Sequence, residues 1–176
     1  MNTGHSYKTM TITLNGNGTI TGYTPTVTTS MLPTGSVIQV KQGANSSEIS
    51  QNSSTDFEIV TVQITPTSSS NKIFIFGSVM GIQNGNGSNN TRFLCRLNSD
   101  VGGNLHNADG NHWLHSTTTV MRYGGFSINH VDSPSTTNTI TYKIIGYWAD
   151  PNSQNCYINK DSNAGSTTIT VMEVAA

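Results

Sequence analysis

Residues 72–82, KIFIFGSVMGI, form the stretch that decides the fold. Apolar side chains alternate along it between two faces, which carry Ile73, Ile75 and Val79 on one side and Phe74, Phe76 and Met80 on the other. A strand that is apolar on both faces needs cover on both sides. We therefore predict that one face fills the core of the protomer and that the other meets symmetry-related copies, with Phe74, Phe76 and Met80 as interface candidates.

Other stretches of alternating residues, each bounded by Gly, Asn, Ser or Pro, predict further strands. They are Ser36–Gln42, Asp56–Thr65, Thr91–Leu97, Thr117–Ile128, Thr139–Trp148, Gln154–Asn159 and Thr167–Val174. No stretch of 12 or more residues has a helical period. The predicted fold is all-β, an antiparallel β-sandwich of jelly-roll type, with a closed barrel as the alternative.

In two of these strands the alternation predicts which residues share a face. In Asp56–Thr65 one face carries Val60, Val62 and Ile64, and the other carries Phe57, Ile59, Thr61 and Gln63. In the last strand Ile169 and Val171 share a face with the aliphatic stem of Glu173.

The first 35 residues differ from the rest of the chain. Met10, Ile12 and Leu14 alternate with threonines, an Asn-Gly-Asn-Gly turn follows, and Thr19–Thr21 resumes the pattern, as in a small hairpin. A lone hairpin is marginally stable in water. We predict that residues 1–35 form an extended N-terminal arm that docks on another copy or a larger assembly, and that residues 36–176 form the sandwich domain.

Composition excludes several classes of partner. Of 176 residues, 10% are charged and the net charge is −1, so the chain lacks the cationic excess that nucleic acid requires. No apolar run approaches the roughly 20 residues of a bilayer span, which argues against membrane insertion, and Met1–Met10 has no apolar secretory core. Ser, Thr and Asn make up 67 residues and replace charge as the source of surface polarity.

Several ordered motifs resemble virion fibre and knob proteins of tailed bacteriophages, especially phages from aquatic environments. The motifs are LPTGSVIQV (32–40), STDFEIVTVQITPTSSSNKIFI (54–75), SPSTTNTITYKI (133–144), YINK (157–160) and STTITVMEV (166–174). The resemblance implies a homotrimeric surface appendage of the virion, either a tail fibre, a receptor-binding tip or a capsid decoration. It also implies assembly in the host cytoplasm, docking of the arm on other virion proteins and attachment to a host surface glycan or protein.

A receptor-binding tip needs aromatic and amide side chains on exposed loops. The Gly- and Asn-rich segment 83–111 predicts an exposed apex, although a solvent loop without a ligand explains it equally well. The candidate receptor or glycan contacts in this region are Asn111, His112, Trp113, His115 and Tyr123. Tyr147 and Trp148 end a hydrophobic strand, and aromatic residues in strands are more often packed than exposed.

The sequence predicts neither a metal nor another cofactor, and no catalytic residue. His106, His112, His115 and His130 cluster along the sequence without the spacing of a metal site. The sequence contains no nucleophile elbow and no phosphate loop. Asp56 and Glu58 are explained as polar residues at the start of a strand. Cys95 and Cys156 are predicted to be free buried thiols.

The prediction is thus a non-enzymatic virion structural protein that forms a trimeric surface appendage. The alternative is a monomeric, lectin-like carbohydrate-binding module.

Overall fold

The computed structural model describes residues 32–84, 91–114, 123–149, 155–160 and 165–176, which form strands and turns and contain no helix. None of these residues therefore belongs to a helix that could cross a bilayer. The strands are β1 (Val37–Asn45), β2 (Ile49–Gln51), β3 (Phe57–Ile64), β4 (Lys72–Asn84), β5 (Thr91–Ser99), β6 (Gly103–Leu114), β7 (Tyr123–Asp132), β8 (Ile140–Trp148), β9 (Cys156–Ile158) and β10 (Thr167–Val174). The predicted arm, apart from its last residues, lies outside the described residues.

The strands form two antiparallel sheets that pack face to face. The first sheet has the order β1-β10-β4-β7, and the short strands β9 and β2 extend it from the end of β4. The second sheet has the order β3-β8-β5-β6. If the short strands β2 and β9 are left out and the other eight strands are renumbered 1 to 8 in chain order, the two sheets have the orders 1-8-3-6 and 2-7-4-5. This is the strand order of a jelly roll. The predicted fold is confirmed, and the closed barrel is not formed.

The core lies between the sheets and is built from alternating positions of each long strand. Ile73, Ile75 and Val79 of β4 are buried, as the alternation predicts. From the opposite sheet β8 contributes Ile140, Tyr142, Ile144 and Trp148. Gly77 permits a close approach between the sheets, because a Cβ there would lie 2.7 Å from Cδ1 of Ile144.

β3 departs from simple alternation. Val60, Val62 and Ile64 are buried as predicted, but Ile59 is buried as well. A bulge between Glu58 and Val60 shifts the register against β8, so both Ile59 and Val60 contribute to the core. The predicted placement of Ile59 on the opposite face from Val60 is therefore wrong.

The segment 83–111 is not an apex loop in the parts described. Residues 91–99 and 103–114 form the hairpin strands β5 and β6, joined by a short turn, and β6 is an edge of the second sheet. Its sequence, GNLHNADGNHWL, has little apolar alternation. Pairing with β5 therefore sets its extended conformation, which local sequence patterns do not encode.

A buried carboxylate fastens the C-terminal strand. Glu173 is wholly buried on the face of β10 that carries Ile169 and Val171, and no described cation pairs with it. Its Oε1 accepts from the backbone N–H of Thr67 at 2.7 Å, from the Thr67 hydroxyl at 2.8 Å and from Nδ2 of Asn71 at 2.7 Å. Its Oε2 accepts from Nε2 of Gln39 at 2.6 Å. Four neutral donors thus tie β10 to β1 and to the turn before β4.

A second polar centre, Asn159, explains the YINK motif. Its Nδ2 donates to the carbonyls of Asn45 at 2.8 Å and Ser47 at 3.1 Å. Its Oδ1 accepts from the backbone N–H and the hydroxyl of Thr167, at 3.2 and 2.8 Å. Its own N–H donates to the carbonyl of Met80. Asn159 thus joins the end of β1 and the start of β10 through its side-chain amide, and β4 through its backbone N–H.

The chain enters the fold beside its own C-terminus. The N–H of Gly35 donates to the carbonyl of Ala175, and the hydroxyl of Thr34 donates to that of Ala176. Residues 32–35, predicted as the last part of the arm, thus contact the end of the sandwich.

Replacing Glu173 tests the buried carboxylate. Burial alone would raise the pKa of Glu173, but the hydrogen bonds from Gln39, Asn71 and Thr67 outweigh it and hold the pKa below its usual value. Because the folded pKa is depressed, this stabilisation is complete above the unfolded pKa and is lost as pH falls through the folded one. We expect Glu173→Gln to lower the free energy of unfolding at pH 7 by about 1–3 kcal/mol.

Urea unfolding at pH 7 and pH 3, at one protein concentration, measures this effect. The variant should lose less stability than the wild type between the two pH values. Glu48→Gln, which removes an exposed ion pair with Lys160, is the matched control and should change stability by less than about 1 kcal/mol. An unchanged pH dependence in Glu173→Gln would contradict the role given to this carboxylate.

Asn159 has a φ of 53°, in the left-handed region that favours glycine and asparagine. Asn159→Ala should destabilise the protein by about 2–4 kcal/mol, because it leaves buried donors and acceptors unpaired and keeps the strained φ. Asn159→Gly loses the same hydrogen bonds without the strain, so it should be about 1 kcal/mol less destabilising. Equal losses in the two variants, measured by urea unfolding, would contradict a net cost of the left-handed backbone for alanine.

Candidate functional site

The outward-facing side of β1, β10, β4 and β7 forms a surface that we call the apolar face. The strand registers place Val40, Met172, Phe74 and Val131 side by side across all four strands. The next row along the strands contains Gln42, Thr170, Phe76 and Asn129, and the row after it contains Ala44, Thr168, Ser78 and Ser127. Large apolar side chains thus form a continuous row near one end of the face.

Exposed apolar residues are concentrated on this face. The described part of the chain has six large hydrophobic residues that are more than a third exposed, and five of them lie on the apolar face. Those five are Val37 (53%), Val40 (53%), Val131 (46%), Phe76 (42%) and Met80 (39%). The sixth, Val101 (52%), lies in the turn between β5 and β6. Single exposed hydrophobic residues scattered over a surface are normal, whereas a cluster of them on one face is typical of an interaction surface.

The structure places all three predicted interface residues on the apolar face. Phe76 and Met80 are exposed, and Phe74 is half-buried between Met172 and Val131. Sequence alternation predicted that these three side chains share a side of β4. It did not predict Val40, Met172 and Val131, because they reach the face through pairing with distant strands.

The apolar face is almost without charge. At the described positions, the only charged side chain on it is Lys72, at the corner where β4 begins. Strand spacing and rise give the whole face dimensions of about 14 by 26 Å. Large apolar side chains occupy only part of it, because Gln42, Thr170, Asn129, Thr168, Ser78 and Ser127 share the face. Its neutrality means that two such surfaces can meet without burying unpaired charge.

The outer side of the second sheet differs in character. Nη1 of Arg96 lies 3.0 Å from both carboxylate oxygens of Asp56, and its guanidinium stacks 5.3 Å from the ring centre of Tyr147. Nζ of Lys143 lies 2.7 Å from Glu58, and this hydrogen bond raises the pKa of Lys143. The two carboxylates that the sequence places two residues apart therefore each hold a separate cation. They do not form an acid–base pair.

The predicted receptor contacts are only partly described. Asn111, His112 and Trp113 lie on the last part of β6, where His112 pairs with Phe93 and Trp113 pairs with Arg92. Tyr123 begins β7 and pairs with Gln83. His115 lies outside the described residues. The backbone thus places Asn111–Trp113 on an edge strand, and whether these residues bind a receptor stays a prediction.

Other residues that could carry chemistry are occupied or buried. Trp148 is fully buried beside Phe93, with ring centres 6.2 Å apart, so the packed reading of this aromatic is confirmed. Cys95 and Cys156 are free and buried, and burial raises the pKa of both thiols, which disfavours the reactive thiolate. Among the described residues no group of three His, Cys, Asp or Glu side chains could hold a metal ion.

Comparisons with known proteins add little to this description. No protein-family model matches the chain, and no curated protein matches it. Among solved structures, it matches the crystal structure of the infectious bursal disease virus VP2 subviral particle with a TM-score of 0.38 and 12% sequence identity. The match covers 78% of this chain and 38% of that chain. The jelly-roll assignment rests on the strand order of this chain itself.

Proposed function

We propose that this protein is a non-enzymatic structural protein of a virion. Three copies form a surface appendage, either a tail fibre or tip or a capsid head fibre or decoration, and the appendage contributes to host attachment. The observation that carries the proposal is the apolar face, which a monomeric sandwich leaves open to water. The resemblance of the ordered sequence motifs to phage fibre and knob proteins supplies the virion context.

The chemistry of the apolar face favours a second copy of this chain as its partner. Burying Phe76, Met80 and Val131 removes apolar area from water, which stabilises an interface by about 25 cal/mol per Å² before association costs. A charged partner would have to desolvate its charges without finding opposite charges on this face. A neutral surface of the same kind meets no such penalty, and in a homo-oligomer every copy supplies one.

The remaining surface fits the same role. Polar side chains and the ion pairs Asp56–Arg96 and Glu58–Lys143 cover the outer side of the second sheet. In a trimer built through the apolar face, this side is free to contact water or a host surface. The arm, residues 1–35, then attaches the appendage to the particle.

Two exposed valines allow a matched test of the interface. Absolute mass from light scattering at micromolar concentration should be near three times 18.8 kDa for the wild type. Val131→Asp buries a charge in the proposed interface and should shift the mass toward 18.8 kDa while the circular dichroism spectrum is kept. Val101→Asp introduces the same charge at an equally exposed valine in the β5–β6 turn and should leave the mass unchanged.

A wild-type mass near 18.8 kDa would contradict the proposal and favour the alternative, a monomeric lectin-like carbohydrate-binding module. A trimer that Val131→Asp does not weaken would contradict the use of the apolar face. The truncations Phe74→Ala and Phe76→Ala refine the map of the interface. Because neither side chain is fully buried in the protomer, each should weaken assembly more than it weakens folding.

Removing residues 1–35 tests the role of the arm. The truncated protein should keep the sandwich fold but fail to be incorporated into particles, as judged by its amount in purified virions relative to the full chain. Incorporation at the wild-type level would show that the sandwich itself carries the attachment point.

A further inference from the structure

A cleft of about 420 Å³ opens where the edge strands of the two sheets meet, between β1 and β3. Its lining residues are Gln39 and Lys41 from β1, Gln63, Ile64 and Thr65 from β3 and the turn after it, and Thr139 at the start of β8. It lies apart from the apolar face, because Lys41 and the face residue Val40 project from opposite sides of β1.

The cleft exists because β1 and β3 touch at two places and separate between them. At one end Gly43 lies so close to β3 that a Cβ there would collide with the carbonyl oxygen of Thr61. The side chains two and four residues earlier, Lys41 and Gln39, project from the same side of β1 as that missing Cβ and line the cleft. At the other end Nε2 of Gln39 donates to the carbonyl of Thr65 at 2.8 Å and joins the strands again.

Hydrogen bonds fix the walls of the cleft. Both amide hydrogens of Gln39 are used, one for Thr65 and one for the buried Glu173. Nε2 of Gln63 donates to the hydroxyl of Thr141 at 3.2 Å, and the hydroxyls of Thr65 and Thr139 lie 2.8 Å apart. Within the described residues, the Oε1 atoms of Gln39 and Gln63 have no hydrogen-bond donor, so they are fixed acceptors without a partner.

Two kinds of donor complement these acceptors. The carbonyls of Ile59 and Thr65 accept hydrogen bonds from side chains of β1, so this edge of β3 faces the cleft. Because backbone groups alternate between the two edges of a strand, the N–H of Gln63 faces the cleft as well. Lys41 is exposed and forms no ion pair or hydrogen bond with the described residues. The Glu173 carboxylate, which Gln39 of the cleft contacts, is buried and its oxygens already accept hydrogen bonds.

We propose that this cleft binds a saccharide that carries a carboxylate. Sugar hydroxyls both donate and accept hydrogen bonds, which suits fixed amide oxygens beside an edge N–H. The ligand's carboxylate pairs with Lys41, the one cation in the cleft lining. The volume lies within the range of small-molecule sites. This inference is independent of the proposed trimer, because the cleft is complete within one chain.

Isothermal titration of the full-length protein at low salt, with digalacturonate as the probe, tests the proposal. The dimethyl ester of the same disaccharide keeps the rings and removes the charge, so it should bind at least 10-fold more weakly. Lys41→Gln should weaken digalacturonate binding at least 10-fold. Gln63→Glu places a negative charge in the cleft and should weaken the acid but not the ester. Lys72→Gln, which removes a cation from the apolar face, is the control and should leave binding unchanged.

Absence of binding at millimolar digalacturonate would overturn the proposal. Equal affinity for acid and ester, or the same loss in Lys72→Gln as in Lys41→Gln, would overturn it as well. Light scattering on the same samples keeps this question separate from the proposed assembly: a trimer that does not bind the probe contradicts the cleft alone, and a monomer that binds it contradicts the assembly alone.

Discussion

The structure depends on the packing of β4 against β8 across the sandwich. β4 is hydrogen-bonded to β10 on one side and to β7 on the other, so it is an interior strand of the first sheet. Its inward side chains occupy the core, and the close approach at Gly77 brings Ile144 of β8 against its backbone. Once β4 is held in this position its outer side chains necessarily point away from the core, and Phe76 and Met80 are left on the surface. The apolar face is therefore a consequence of the fold combined with a strand that is apolar on both sides.

Hydrogen bonds from neutral donors replace ion pairs in the described interior of this weakly charged chain. Glu173 is held by amide and hydroxyl donors, and both ends of the Asn159 amide are satisfied by groups at the end of β1 and the start of β10. Each centre joins segments that are distant in sequence, and each becomes costly when one partner is removed, because the remaining groups stay buried. These two centres account for why a chain rich in Asn, Ser and Thr specifies one arrangement of strands around an otherwise aliphatic core.

Local alternation predicted much of the fold, and strand pairing determined the rest. β10 has the predicted bounds, β8 starts one residue later than predicted, and β4 continues two residues past its predicted end, since their apolar period is strong. β6 was missed because GNLHNADGNHWL has too few apolar residues to reveal a strand, and the bulge that buries Ile59 leaves no mark in a single sequence. The sequence predicted some residues of the apolar face and missed others. Phe74, Phe76 and Met80 follow from the period of β4, whereas Val40, Met172 and Val131 join them through pairing with strands that are distant in sequence. The cleft at Gln39 and Gln63 was not predicted, because it arises from two strand edges that diverge in space.

The two outer sides of the sandwich differ enough to orient the molecule in an assembly. The apolar face of the first sheet presents exposed valines, Phe76 and Met80 with one described lysine at its corner, and the Glu48–Lys160 ion pair lies at the short strands β2 and β9 of the same sheet. The second sheet presents ion pairs and an arginine stacked on Tyr147. Water solvates the second side at little cost, and burying it would require desolvating Asp56, Arg96, Glu58 and Lys143 together. Burying the first side costs almost no charge desolvation and removes apolar area from water. The same asymmetry limits the effect of salt, because contacts between neutral surfaces are not screened by ions. Any assembly that this chain forms with itself is therefore expected to place the first sheet inward and the second sheet outward.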